Sequence, residues 1–392
     1  MRKLISKDQA VQIIRKIKIN PKLKSNINIK NVRNHKSLNK IISPINLPEL
    51  PSPGLDGYVI PNLKKTRWKI HKKEIVCGSK LFKPNKDFAY KVNTGSFIDS
   101  SFKYFISLEN ANTSNEILTF SKKDASKKDI KKIGEDLKKN ALILNKDDYL
   151  DEFKIALLAS VGIKKILSYR KLKVGIFSIG DELIDSNKKK ITKSKIFDSN
   201  KHQIINFLKN WPVHIKDLGL LKDNENSVSK FYKKNVNKYD LIISSGGSST
   251  SDKDFISSFF VKNFNIIFQY IKIKPGRPSI FAKFNNTYIF SLPGNPLAVT
   301  VNLLFIVSEF LNLFASGKKI FPELVTSGFE INKKNDFNNF YRVKINSKKV
   351  ATLYNSKGSA KLVSISKADA LLEIPKNINK IKKGDRVKVF RF

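Results

Sequence analysis

The chain of 392 residues has a single cysteine, Cys77, which excludes an intrachain disulfide and a thiolate metal cluster. Its four histidines, His35, His71, His202 and His214, fall at no metal-ligand spacing. They read as surface or packing residues and support no Ser–His–Asp arrangement. There is no G-x-x-x-x-G-K-[ST], and no G-x-G-x-x-G follows the first α/β strand, so the P-loop and dinucleotide readings fall away. Arginine, the preferred base- and phosphate-reading cation, is scarce, while lysine is spread along nearly the whole sequence. The net charge of +42 therefore predicts solvated lysines and no nucleic-acid partner. The opening MRKLISKDQAVQIIRKIK has charges throughout and no apolar core, which predicts a cytoplasmic protein without a signal peptide. The longest apolar run, 297–314, has the length of a membrane span but contains Thr300, Asn302, Ser308, Glu309 and Asn312. A core helix is predicted there, with no membrane partner.

What is present is a chain too long for one compact core, with an ordinary hydrophobic share of 41%. Ser6 can cap a first helix whose Ala10, Ile13 and Ile14 share one face. Prolines 44, 48, 51 and 53 lead into LDGYVI, and short alternating runs follow (WKIHKKEIV, FAYKVNTG, YFISLEN). These predict a small β domain over 51–125. Helical texture over 126–139 and 151–169, with Asp151 as a cap, predicts a helical linking domain from 1–50 and 126–170. From Lys173, strand and helix alternate (VGIFSIG, VHIKDLG, LIISSGG, TYIFSLPG), with an antiparallel excursion before the last strand. The expected class is α/β multidomain, its doubly wound, mostly parallel domain covering 171–316. FYRVKI, ATLYN, KLVSI, ALLEIP and RVKVFRF predict a C-terminal β-barrel-like domain over 317–392.

Ligands of open α/β sheets collect outside the carboxyl ends of the strands. Three such ends are chemically unusual. Gly180-Asp181-Glu182 is a pair of acids after a strand; Ser244-Ser245-Gly246-Gly247 is a glycine loop leading to Asp252 and Asp254; SLPGNP is a tight turn with Asn295 as cap and Pro296 as first helical residue. Taken singly, each can be a solvated turn or a good helix start. Lys274-Pro275-Gly276-Arg277-Pro278 adds two cations on a rigid frame suited to phosphate oxygens. Glycine loops, cations and carboxylates in one crevice imply a phosphorylated ligand with a divalent metal, Mg²⁺.

The set SGGSSTSDKDF, KPGRP and SLPGNP, with SIGDEL and FDSNKHQI before it, resembles the molybdopterin molybdenumtransferases, relatives of the E domain of gephyrin. LDGYVI, NTGS, GED at 134–136 and LGLLKDN extend the likeness over almost the whole chain. The resemblance implies insertion of molybdenum from molybdate into adenylylated molybdopterin, with Mg²⁺, releasing AMP and giving molybdenum cofactor. It implies that Asp254 and Glu182 handle metal or molybdate, that Asp223 stands near the site, and that Asp56 and Thr94 contribute from the N-terminal region. Gly246, Gly247, Ser249, Lys274, Arg277, Pro293, Gly294, Asn295 and Ser364 would bind the pterin substrate. A homodimer is implied, with molybdopterin adenylyltransferase and molybdoenzyme apoproteins as further partners. Ser248-Ser249-Thr250-Ser251 stands where the family has Val-Ser-Val-Gly. The alternative reading is a molybdopterin-binding scaffold of the same fold with weakened chemistry.

Overall fold

A computed structural model describes residues 4–185, 194–246, 255–317, 321–354 and 362–391, apart from the side chains of 255–257. Helix α1 (Lys7–Arg15) starts at a capping box in which Ser6 and Gln9 each satisfy the other's backbone N–H, and it buries Ala10 and Ile14. Residues 28–31 and 37–166 form one compact unit, and 1–27, 32–36 and 167–392 form another.

The first unit holds strands β1 (Gly57–Ile60), β2 (Arg67–Ile70), β3 (Phe88–Val92), β4 (Tyr104–Ser107), β5 (Asn112–Ser114) and β6 (Ile117–Thr119). Their order is β4-β1-β3-β2-β6-β5, and Val59, Tyr90 and Phe105 are buried in its core. Gly57 is required by packing, because a Cβ there would lie 2.1 Å from the Ile106 carbonyl oxygen on the neighbouring strand. Helix α2 (Glu152–Ser160) is capped by Asp151, as expected, but stops at Ser160, and Lys165–Tyr169 is an extended strand.

The helix expected over 126–139 does not form. Ile130 and Lys131 pair instead with Pro53 and Ser52, Gly134 adopts φ +69°, and the Leu47 carbonyl takes the amides of Asp136 and Leu137. Lysine-rich helical propensity is worth only tenths of a kcal/mol per residue, so tertiary pairing overrides it.

In the other unit the α/β elements are β7 (Leu172–Ile179), α3 (Ser199–Leu208), β8 (Val213–Leu221), α4 (Glu225–Asn235), β9 (Leu241–Ser245), α5 (Phe255–Asn263), β10 (Asn265–Gln269), β11 (Ile273–Lys274), β12 (Ile280–Phe284), β13 (Thr287–Leu292), α6 (Pro296–Asn302) and α7 (Ser308–Leu311). The sheet order is β8-β7-β9-β13-β12-β10. Strands β8, β7, β9 and β13 run parallel, and β12 and β10 add antiparallel, as the sequence pattern predicts. β9 is buried along its whole length, the pattern of a strand covered on both faces. One face packs Phe281 on Phe290 with ring centroids 4.2 Å apart, and the other packs Phe177 against Phe231 and Tyr232. The apolar run 297–314 is core: α6 leads through a π-helical turn, Leu303–Val307, into α7. Among the described residues no helix is long and apolar enough to cross a membrane.

The C-terminal region adds β14 (Pro322–Ser327), β15 (Asn338–Ile345), β16 (Val350–Leu353), α8 (Leu362–Ser366), β17 (Ala370–Ile374) and β18 (Arg386–Arg391). The order β15-β16-β14-β18-β17 closes through β15–β17 into a five-stranded barrel, with β11 added parallel to β15. KLVSI, read as a strand, begins at Lys361, outside the described residues, and its LVSI is instead part of the one-turn helix α8. Its Ile365 packs onto the apolar cluster shared with α6, so burial decides a segment whose own pattern is ambiguous.

Candidate functional site

Because β8, β7, β9 and β13 are parallel neighbours, their carboxyl ends deliver Asp223, Glu182, Gly246 and Gly294 to one edge of the sheet. The join between β9 and its neighbours is tight. Gly246 takes φ +86° and donates its N–H to the Leu292 carbonyl at 3.1 Å. A Cβ at 246 would lie 2.1 Å from the Ile179 carbonyl oxygen, a clash with backbone that cannot be relieved locally. Gly294 faces it, the position of its would-be Cβ lying 3.6 Å from the Gly246 Cα. Two bare backbone segments thus meet at the mouth, which lets a ligand approach the main chain.

The acids stand on the β7 and β8 side. Asp223 donates its backbone N–H to Asp181 Oδ1 at 3.2 Å, tying the end of β8 to the acidic turn after β7. The Glu182 carboxylate folds back over Gly180, where a Cβ would be 2.8 Å from its oxygens. Among the described residues no three acids, histidines or cysteines converge as a metal cage. Glu182 is exposed and offers one oxygen ligand. Asp254, its expected companion, lies outside the described residues, as do Gly247 and Ser249.

Helix α6 organises the opposite side. Pro293 is buried, and Asn295 Oδ1 accepts from the N–H groups of Leu297 and Ala298, with Pro296 at the first helical position. The cap occupies those donors, so an anion here meets the glycine backbone more than the helix start. Lys274, at the end of β11, and Arg277, on the turn after it, are both exposed, and Arg277 lies 5.9 Å from the Tyr270 ring.

The sequence reading missed the residue that places this turn, Asn302. Fully buried, it donates from Nδ2 to the carbonyls of Gly276 (3.2 Å) and Ala298 (2.8 Å) and accepts from Ser279 Oγ (2.8 Å). The cation turn is therefore bolted to the helix that begins at the SLPGNP loop. The signal was there to be read, an asparagine inside the apolar run LAVTVNLL. Ser364, on α8 against α6, is buried and accepts a short hydrogen bond from Arg342, a second residue the sequence reading left unmarked.

Asp56 and Thr94 belong to the first unit, where they form one cluster. Asp56 Oδ1 accepts the Thr94 N–H at 2.6 Å, and Cys77 Sγ donates to the Thr94 carbonyl at 3.0 Å. The Thr94 backbone N–H, helped by side-chain hydrogen bonds from Thr94 and Asn93, holds the exposed Asp56 carboxyl below its ordinary range.

Three family models match this chain. Residues 5–162 match "MoeA N-terminal region (domain I and II)", 175–312 match "Probable molybdopterin binding domain", and 325–392 match "MoeA C-terminal region (domain IV)". The molybdopterin molybdenumtransferase of Haemophilus influenzae is 32% identical over 290 residues, covering 73% of this chain and 71% of that one. The enzyme of the same name from Staphylococcus epidermidis is 26% identical, covering 78% and 74%. The crystal structure of a molybdopterin biosynthesis MoeA protein from Pyrococcus superposes with a TM-score of 0.81 at 24% identity, covering 99% of each chain, and shares the fold.

Proposed function

Because the chain belongs to the molybdopterin molybdenumtransferase (MoeA) family, we propose that it transfers molybdenum from molybdate to adenylylated molybdopterin with release of AMP. Family membership makes it a transferase of molybdenum cofactor biosynthesis. The adenylylated substrate is what the family resemblance implies, and the magnesium is our reading of the crevice.

The observation that carries this reading is the meeting of Gly246 and Gly294 as bare backbone, between the Glu182 turn and the tethered cation turn. The glycines admit the flat pterin, and Lys274 and Arg277 supply positive charge to phosphate oxygens. In the balanced reaction, water attacks the phosphoanhydride and its P–O bond breaks, giving AMP and the pterin phosphate. Both dithiolene sulfurs then bond molybdenum, and one molybdate oxygen leaves as water with the thiol protons. Glu182, with Asp254 as the second acid that the family resemblance implies and with substrate phosphate oxygens, would make an all-oxygen donor set of the kind Mg²⁺ takes. When bound, Mg²⁺ neutralises phosphate charge.

A homodimer belongs to the same reading. Helix α2 is apolar on nearly every side, yet only its Leu158 is fully buried and Phe153 is 78% exposed. A helix that is apolar all round requires a cover, and a second copy supplies one. Molybdopterin adenylyltransferase would supply the substrate, and molybdoenzyme apoproteins would take the product.

The test is Asp254→Asn, a nearly isosteric change. The variant is expected to fold with little stability loss and to lose AMP release and cofactor formation. Unchanged AMP release by the folded variant removes Asp254 from the mechanism. Tight pterin binding by the wild type without AMP release favours the scaffold reading.

A further inference from the structure

The least expected charge in the α/β domain is Lys201. It lies in the first turn of α3, where the helix dipole disfavours a cation, and it is 2% exposed, where desolvation disfavours one too. Two carboxylates offset those costs. Asp217 Oδ2 of β8 lies 3.1 Å from Lys201 Nζ, and Asp185 Oδ2 lies 3.7 Å away. Nζ makes no well-aligned hydrogen bond to either, so it acts as a buried point charge between them.

Asp185 ends the turn that carries Asp181 and Glu182. One side of that turn is held by backbone bonds: Leu183 N–H to the Gly180 carbonyl, Ile196 N–H to that of Glu182, and Asp198 N–H to that of Ile184. The other side is joined to the sheet through Asp185, Lys201 and Asp217. Asp198 caps α3 by accepting the Lys201 N–H at 3.1 Å, which fixes the helix start that carries the lysine.

We propose that Lys201 is a positioning residue: its buried ammonium pins the acidic turn 181–185 to β8 and thereby sets Glu182 at the crevice. This rests on the reaction proposed above, in which Glu182 acts. Lys201 touches no substrate and works through the turn.

The test is a double-mutant cycle on AMP release, paired with amide exchange that is independent of the reaction. Lys201→Met is expected to lower kcat at least tenfold while KM for the pterin substrate stays within about threefold. Lys201→Arg keeps the charge and should recover most of the rate. In a Glu182→Gln background, Lys201→Met should add little further loss, because both lesions remove the same function. Losses that multiply instead overturn the proposal.

Amide exchange at Leu183 and Ile196 should speed up at least tenfold in Lys201→Met, with global unfolding little changed. Asp185 is 38% exposed, so Asp185→Asn should fold even if Lys201→Met does not, and it should speed the same amides. Unchanged exchange in Asp185→Asn contradicts the proposal. If the wild-type protein releases no AMP, the proposed reaction fails while the exchange measurement still decides the pin.

Discussion

Single positions in the crevice differ in how much change they tolerate, and geometry ranks them. Gly246→Ala pushes a methyl onto the Ile179 carbonyl at a positive φ, so it is expected to destabilise the fold by at least about 1–3 kcal/mol and to abolish cofactor formation. Gly294→Ala meets only ordinary contact at 3.6 Å, so thermal unfolding should move within about ±0.5 kcal/mol. Melting both variants side by side checks the ranking; equal shifts refute it. Asp56 makes a titration prediction. Its folded-state pKa is depressed, so the hold on Thr94 is complete above the ordinary aspartate pKa and is lost as pH falls through the lower folded value. In NMR the Thr94 amide should shift with a midpoint below about 3.9, and Asp56→Asn should remove the transition. A midpoint at or above that value contradicts the hydrogen-bond account.

Among the elements, α6 couples most of the site. Asn302→Leu keeps the branched outline of the side chain but strips the bonds to Gly276, Ala298 and Ser279, and should cost about 1–3 kcal/mol in urea unfolding. The loosened cation turn should also raise KM for the pterin substrate more than it lowers kcat. A stable variant with unchanged KM would dissociate the turn from binding. This element also separates what could be read from sequence from what could not. The SLPGNP turn, the Asn295 cap and the parallel strands were legible because local chemistry and burial period specify them. Asn302 was legible only as a polar break in the apolar run, because its partner at Gly276 depends on tertiary placement. The same cause defeated 126–139 and KLVSI, where strand pairing and burial against α6 outweighed local preference.

At the scale of the whole molecule, the charge of +42 should act as diffuse solvated lysine. Any DNA binding should weaken steeply with salt, and tight, sequence-selective binding at physiological salt would overturn that account. The proposed homodimer is tested by mixing lesions. If each site takes Asp56 from one subunit and Asp254 from its partner, co-expressing Asp56→Ala with Asp254→Asn restores about a quarter of normal activity under random pairing. No recovery from a verified heterodimer rejects shared sites.

The central claim is the transfer itself. Purified protein would be incubated with adenylylated molybdopterin, Mg²⁺ and molybdate, then given an apo-molybdoenzyme. The account predicts AMP release together with molybdate-dependent recovery of that enzyme's activity. Bound pterin with neither AMP nor recovered activity would contradict it.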